Sequence, residues 1–332
     1  MASTSRFADK AISVVVQGDA YIRSSKIPAV LRFPLVVVLS LMLSSLLYSF
    51  TPDYMKADLG RVSRSRQEWW EVWALVLFRT FELALGWFGN YDGYDLASLS
   101  LLSHGPPLYL LGSFYHVAST TVASSLVIDA LTTYIPFRIL RPLSLAHSAS
   151  SSKYSVPVPN ADIVTSYEIQ ALTTGLVALI YAVTVYTSYA TFLPVYLATY
   201  FEGIPSMTAA YASSFVAILP TTLVLGVAAR SFIFTPAVTF APSSRDAKNA
   251  AFNPETATLA DTFWHNVWGF SARTKVVIKR TATVMLVTGL NTFVQTFVTV
   301  EGVEVMGAVV YSGVWVAAAG LTGVALGLVS AV

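Results

Sequence analysis

The chain has 332 residues, 55% of them hydrophobic and only 11% charged, with a mean hydropathy of +0.63. A soluble chain keeps about a quarter of its residues charged, so this composition excludes an ordinary water-soluble globule and calls for lipid against the surplus apolar surface. A net charge of +2 in short basic clusters leaves no footprint for nucleic acid, and the lack of cysteine excludes disulfides, thiolate metal sites and cysteine nucleophiles.

Residues 1–32 read as a polar N-terminal segment mixing Arg6, Lys10, Arg23 and Lys26 with Asp9 and Asp19. Its one short apolar run, 11–16, argues against a cleavable signal peptide. The rest, 33–332, reads as one transmembrane helical domain. Its first span, 33–50, holds no charge and is entered through Pro28 and Pro34. A connector carrying Lys56, Arg61, Arg64 and Arg66 leads to a second span, 69–88, with Trp69, Trp70 and Trp73 as an interfacial belt. After an acidic turn holding Asp92 and Asp95, Pro106 and Pro107 are expected to open a third span, 108–131, with His116 inside it.

A flexible loop with a serine run at 148–152 precedes a fourth span, 168–194, whose start is marked by the capping-box spacing Thr165-Ser166-Tyr167-Glu168. A fifth span is expected at 206–229. The cytoplasmic loop 230–280 contains Leu259, Phe263, Val267 and Phe270 on one helical face, the pattern of an amphipathic helix lying in the interface. Spans six and seven, 281–300 and 305–329, complete an all-α polytopic transmembrane bundle.

Lysine and arginine accumulate in short cytoplasmic loops, which tests the orientation. Seven spans with an outside N-terminus place 14 basic residues inside against 5 outside; a six-span alternative, with 69–88 lying in the interface, gives 15 against 5. Length and apolarity favour seven.

Arg79 and Glu82, three residues apart in the second span, are costly in lipid unless paired. With His116, Asn291 and Gln295 they form either an intramembrane polar path or a set of interhelical hydrogen bonds. In the last span Ala319, Gly323, Gly327 and Ala331 repeat every fourth residue, a ridge of small side chains against which another helix, of this chain or a second copy, can pack closely. Lys275, Lys279 and Arg280 are placed to meet anionic lipid headgroups. The four histidines have no metal-ligand spacing, and neither GxSxG, a P-loop nor GxGxxG occurs, so no metal, cofactor or catalytic residue is assigned. The Asp-Arg-Tyr and Asn-Pro-x-x-Tyr motifs of seven-span receptors are missing, as is a last-helix lysine for retinal.

The runs Thr133-Tyr134-Ile135-Pro136-Phe137-Arg138, Asn266-Val267-Trp268-Gly269-Phe270 and Arg273-Thr274-Lys275-Val276-Val277-Ile278-Lys279-Arg280 resemble those of multi-pass membrane proteins of filamentous fungi. The resemblance implies a fungal integral membrane protein and transfers no functional residue; the expected location is an endomembrane or the plasma membrane. Two roles follow from the residues: a structural or accessory helix bundle that organises lipids or a protein partner, or a small-solute transporter or channel using the polar path.

Overall fold

The computed structural model describes residues 28–64, 68–148, 158–211, 215–240, 246, 249, 251–254 and 257–331. Residues 1–27, serine-run positions 149–152 and the side chain of Ala331 lie outside the described residues. The fold is all-α. Among the described residues eight long helices carry it: α1 (Ala29–Ser49), α2 (Trp69–Phe88), α3 (Gly93–Phe114), α4 (Ser119–Leu140), α5 (Tyr167–Ala190), α6 (Phe215–Val238), α7 (Ala272–Thr299) and α8 (Val305–Ala331). Six of them, α1 and α4 to α8, are long and apolar enough to cross a membrane. Their outer faces present large apolar side chains such as Met42, Leu172, Val216, Leu290 and Val324, surface that acyl chains can solvate and water cannot. The protein is a multi-pass membrane helix bundle.

The two remaining long helices differ: α3 forms the interior, whereas α2 turns Phe78, Glu82 and Leu83 inward and exposes Trp69, Trp73, Leu77 and Phe88. α2 carries Glu71, Arg79 and Glu82 within 20 residues. α3 has fourteen of its 22 residues buried, and the only large hydrophobic it exposes is Tyr94. It packs against α4, α6 and α7 and barely meets the outside of the bundle. A helix shielded by protein has no need of a lipid-soluble surface, so its sequence can hold Ser98, Ser100, Ser103 and His104.

This helix corrects the expected third span. The stretch 108–131 is two helices, α3 and α4, divided at His116, which adopts a left-handed backbone (φ 56°) and is exposed. A left-handed residue just past a helix end closes the last turn and turns the chain. α3 begins instead in the acidic turn, where Asp92 and Asp95 make a reciprocal capping box: Asp95 N–H donates to Asp92 Oδ1 at 2.9 Å and Asp92 N–H to Asp95 Oδ2 at 3.3 Å. Pro106 and Pro107 lie inside α3, not at its start. At the start of α5 the cap is Ser166, one residue later than the expected spacing, accepting from Ile169 N–H at 3.4 Å.

The hidden helix also reverses part of the expected topology. Short backbone pairings tie Arg64 N–H to Thr299 O (2.8 Å), Glu202 N–H to Gly302 O (2.7 Å) and Glu304 N–H to Tyr200 O (3.0 Å). Thr121 Oγ1 donates to Asp58 Oδ2 at 3.1 Å. The connectors at 50–64, 115–118, 191–211 and 300–304 therefore share one end of the bundle, which we call the acidic face. At the other end Ser144 N–H donates to Asp92 Oδ2 (2.9 Å) and Asn160 Nδ2 to Val238 O (3.0 Å). Among the described residues this basic face holds Arg32, Arg138, Arg141, Arg273, Lys275, Lys279 and Arg280. The connector at 50–64 lies with the acidic loops rather than opposite them, and the described residues traverse the bundle eight times.

The expected loop 230–280 is shorter than its sequence suggested. Arg230–Phe234 is a π-helical turn within α6, and α7 begins at Ala272. Between them Leu259–Trp268 forms the expected amphipathic helix, with no residue buried in the bundle and Thr258 as its cap. The small-residue ridge faces α7: a Cβ on Gly323 would stand 2.1 Å from Thr281, and one on Gly327 3.5 Å from Val277. The ridge serves pairing within the chain, the most extensive helix contact in the fold.

Candidate functional site

Halfway along α2, Arg79 Nη1 meets Glu82 Oε2 at 2.9 Å, and Arg79 Nη2 donates to Thr132 Oγ1 of α4 at 2.5 Å. The pair is deeply buried, with Glu82 fully enclosed. Ser103 Oγ of α3 donates to Glu82 Oε1 at 3.3 Å and lies 3.0 Å from His104 Nδ1. On α4, Asp129 Oδ1 accepts from Tyr48 OH of α1 at 3.3 Å, and it lies within electrostatic reach of Arg79, Glu82 and His104. Four ionisable groups from three helices thus form one cluster inside the bundle.

The proline pair explains how α7 joins it. A proline has no N–H, so Pro106 and Pro107 leave the carbonyls of Leu102 and Ser103 without their helical donors. Thr288 Oγ1 donates to Leu102 O at 3.2 Å and Asn291 Nδ2 to Ser103 O at 2.8 Å. In lipid a bare carbonyl is costly, and polar side chains of a neighbouring helix satisfy it. Tyr311 OH of α8 completes the seam by donating to Pro106 O at 2.8 Å.

Toward the acidic face lies a cleft of about 540 Å³ lined by Arg64, Glu68, Glu71, Glu202, Glu301 and Glu304. Five carboxylates against one guanidinium make it attractive to cations. Glu71 is almost fully enclosed and meets Arg64 Nε at 3.5 Å. Glu82 follows it by eleven residues on α2, which at 100° and 1.5 Å per residue is nearly the same helix face, roughly 16 Å deeper.

At the basic face Arg280 does not reach for headgroups, as its position in a basic run suggested. Its guanidinium forks onto Asp95, Nη1 to Oδ1 at 2.5 Å and Nη2 to Oδ2 at 3.1 Å, donates to Phe232 O at 2.7 Å, and lies over the rings of Tyr91 and Phe232. Pro236 frees that carbonyl just as Pro106 frees Leu102 O. Lys275 sits over Trp268, and Lys279 is exposed. Nearby, His147 Nδ1 lies 2.8 Å from Asp92 Oδ2. Burial acts to raise the Asp92 carboxyl, but the hydrogen bond and charge of His147, with the N–H groups of Asp95 and Ser144, hold it well below the usual carboxylate range. Burial acts to lower His147; the bond to Asp92 and its charge outweigh that and raise it above an ordinary histidine. Asp92, Asp95 and His147 are close enough to hold a metal ion, yet Arg280 already supplies the cation at Asp95.

Comparison with known proteins adds no guide: no family profile, curated protein or solved structure matches the chain.

Of the residues picked out by sequence, Arg79, Glu82 and Asn291 come together through Ser103. His116 does not; it caps α3 at the acidic face. Gln295 lies one turn along α7 from Asn291, partly buried, with its backbone carbonyl accepting from Thr299 Oγ1. Sequence reasoning missed His104, Asp129 and Glu71. Asp129 was visible as a carboxylate in an apolar run, while His104 was hidden by the assignment of its segment to a loop.

Proposed function

We propose that this protein moves protons, alone or with a small cationic solute, through the cluster of Arg79, Glu82, His104 and Asp129. One observation carries the reading: the cluster's charge does not balance with its permanent groups. Arg79 offsets one of the two carboxylates, and the other needs a further proton, held by His104 or by an acid, to be neutral within the bundle. A cluster that needs one mobile proton is suited to exchange it, and the carboxylate cleft at the acidic face supplies a mouth that concentrates cations. The distribution of lysine and arginine supports a cytoplasmic basic face.

The runner-up is a structural helix-bundle protein, favoured by the completeness of the Arg79, Glu82, Thr132 and Ser103 hydrogen bonds, which make a rigid interhelical tie. Purified protein in liposomes, with a potassium gradient and valinomycin setting the potential and a pH dye inside, decides between them. Potential-driven proton uptake above that of protein-free vesicles, with or without external choline, and its loss in Asp129→Asn, support transport. Uptake equal to empty vesicles under both conditions leaves the structural role.

A further inference from the structure

We propose that Ser231, His147 and Asp92 form a nucleophilic site at the basic face, able to hydrolyse acyl esters presented at the membrane interface. Ser231 Oγ lies 3.3 Å from His147 Nε2, and His147 Nδ1 lies 2.8 Å from Asp92 Oδ2. The three residues come from α6, the short helix Leu145–Ser148 and the cap of α3. Their order along the hydrogen bonds is hydroxyl, imidazole, carboxylate, the arrangement in which a carboxylate fixes the ring and the far nitrogen accepts a hydroxyl proton. No local sequence signature announces it, because 139 residues separate the serine from the aspartate.

The surroundings hold each group in its role. Asp92 accepts from the backbone N–H of Asp95 and of Ser144, both at 2.9 Å, so its carboxylate is fixed and available to the Nδ1 hydrogen. Ser144 Oγ also lies 3.2 Å from Nδ1. With Nδ1 as donor, Nε2 carries the free lone pair and faces Ser231. Ser231 sits in the π-helical turn, a local widening of α6 that is common at functional sites. Both Ser231 and His147 keep partial exposure. Tyr94 packs beside the imidazole, its ring centre 5.4 Å away, and is itself exposed, an amphipathic side chain of the kind found at headgroup level. That position suits an amphiphilic ester with its carbonyl at the interface and its chain in the bilayer.

In the step this geometry allows, His147 Nε2 takes the Ser231 hydroxyl proton as Oγ bonds to the carbonyl carbon. The carbon–oxygen bond to the alcohol then breaks, and the alcohol leaves with the proton from Nε2. Water attacks the acyl-serine, gives its proton to Nε2, and Nε2 returns it to Ser231 as the acid departs. The net reaction is ester plus water to acid plus alcohol. Asp92 acts through His147 and is a positioning residue.

The test uses the full chain in detergent, a fluorophosphonate probe and mass-spectrometric mapping of the adduct. The expected result is a single adduct on Ser231, lost in Ser231→Ala and slowed at least 100-fold in His147→Gln. The groups facing His147 are Asp92, Asp95 and Tyr94 from the α3 end and Arg280 from α7, so Asp92→Asn should move the pH inflection of labelling downward; a purely structural Asp92 would change yield without moving it. A folded wild-type protein that takes no label, one labelled at another serine, or a labelling rate unchanged in His147→Gln overturns the proposal. The wild-type adduct decides by itself if a variant fails to fold. The inference does not depend on proton transport, and liposome flux and serine labelling can fail separately.

Discussion

Removing the charges of Arg79 and Glu82 singly and together tests the cluster most directly. Arg79→Met leaves Glu82 and Asp129 as two carboxylates without a permanent counter-charge, and Glu82→Leu leaves Arg79 with Thr132 and the more distant Asp129. Breaking one partner of a buried pair costs about 3–5 kcal/mol. In the double variant, Thr132 Oγ1 keeps its bond to Asp129 O (2.9 Å) and Ser103 Oγ keeps Ser100 O (3.2 Å), so no hydroxyl is stranded. Only Asp129 loses a counter-charge, and a proton can neutralise it. The double variant should therefore be no less stable than the worse single one, with a coupling energy of about 3 kcal/mol. Thermal unfolding of the four proteins in one detergent measures it. Single effects that add to within about 0.5 kcal/mol would show that the two side chains do not act as a pair, and the charge-balance argument would fail with them.

Asn291→Leu should cost about 1–3 kcal/mol by stranding Ser103 O, and Pro107→Ala, which restores a helical donor to that carbonyl, should recover much of the loss; melting temperatures of the single and double variants check this. Gly323→Val should separate α7 from α8, because its Cβ would overlap Thr281, at a cost of about 1–3 kcal/mol or more, whereas Gly327→Ala meets Val277 at an ordinary 3.5 Å and should be tolerated; expression and thermal stability distinguish them. The His147–Asp92 pair gives stability a pH signature. The raised histidine contributes fully below its unfolded value of about 6.5 and loses its contribution as pH rises through the higher folded value; the lowered carboxylate contributes above about 4 and loses it as pH falls. A melting-temperature profile should therefore be highest between about pH 4 and 6.5, and His147→Gln should flatten its alkaline side. Because the chain has no cysteine, single cysteines at the exposed Asp53, Thr191 and Ala260 can be mapped with an impermeant maleimide: the first two should label from one side of the membrane and the third from the other.

The sequence by itself determined the solvent and the element type. An apolar surplus with few charges must face lipid, and in lipid a backbone can satisfy its own polar groups as helices; the spans at 33–50, 281–300 and 305–329 all lie within or nearly within observed helices for that reason. The ridge at Ala319, Gly323 and Gly327 was legible because close helix approach requires small residues at a fixed spacing. So was the Arg79–Glu82 pair, because two charges three residues apart on a helix can reach each other. What only the tertiary structure decided was α3 and everything attached to it. Hydropathy registers a helix by its contact with lipid, and α3 is sheathed by α4, α6 and α7, so its serines, histidine and internal prolines read as a loop. Losing that helix moved His116 into a span, hid His104, and put the connector at 50–64 on the wrong side. The joining of Asp95 to Arg280 and of Asp92 to His147 and Ser231 likewise spans distances in sequence that no local pattern covers; it exists because folding brings three helix ends to one face.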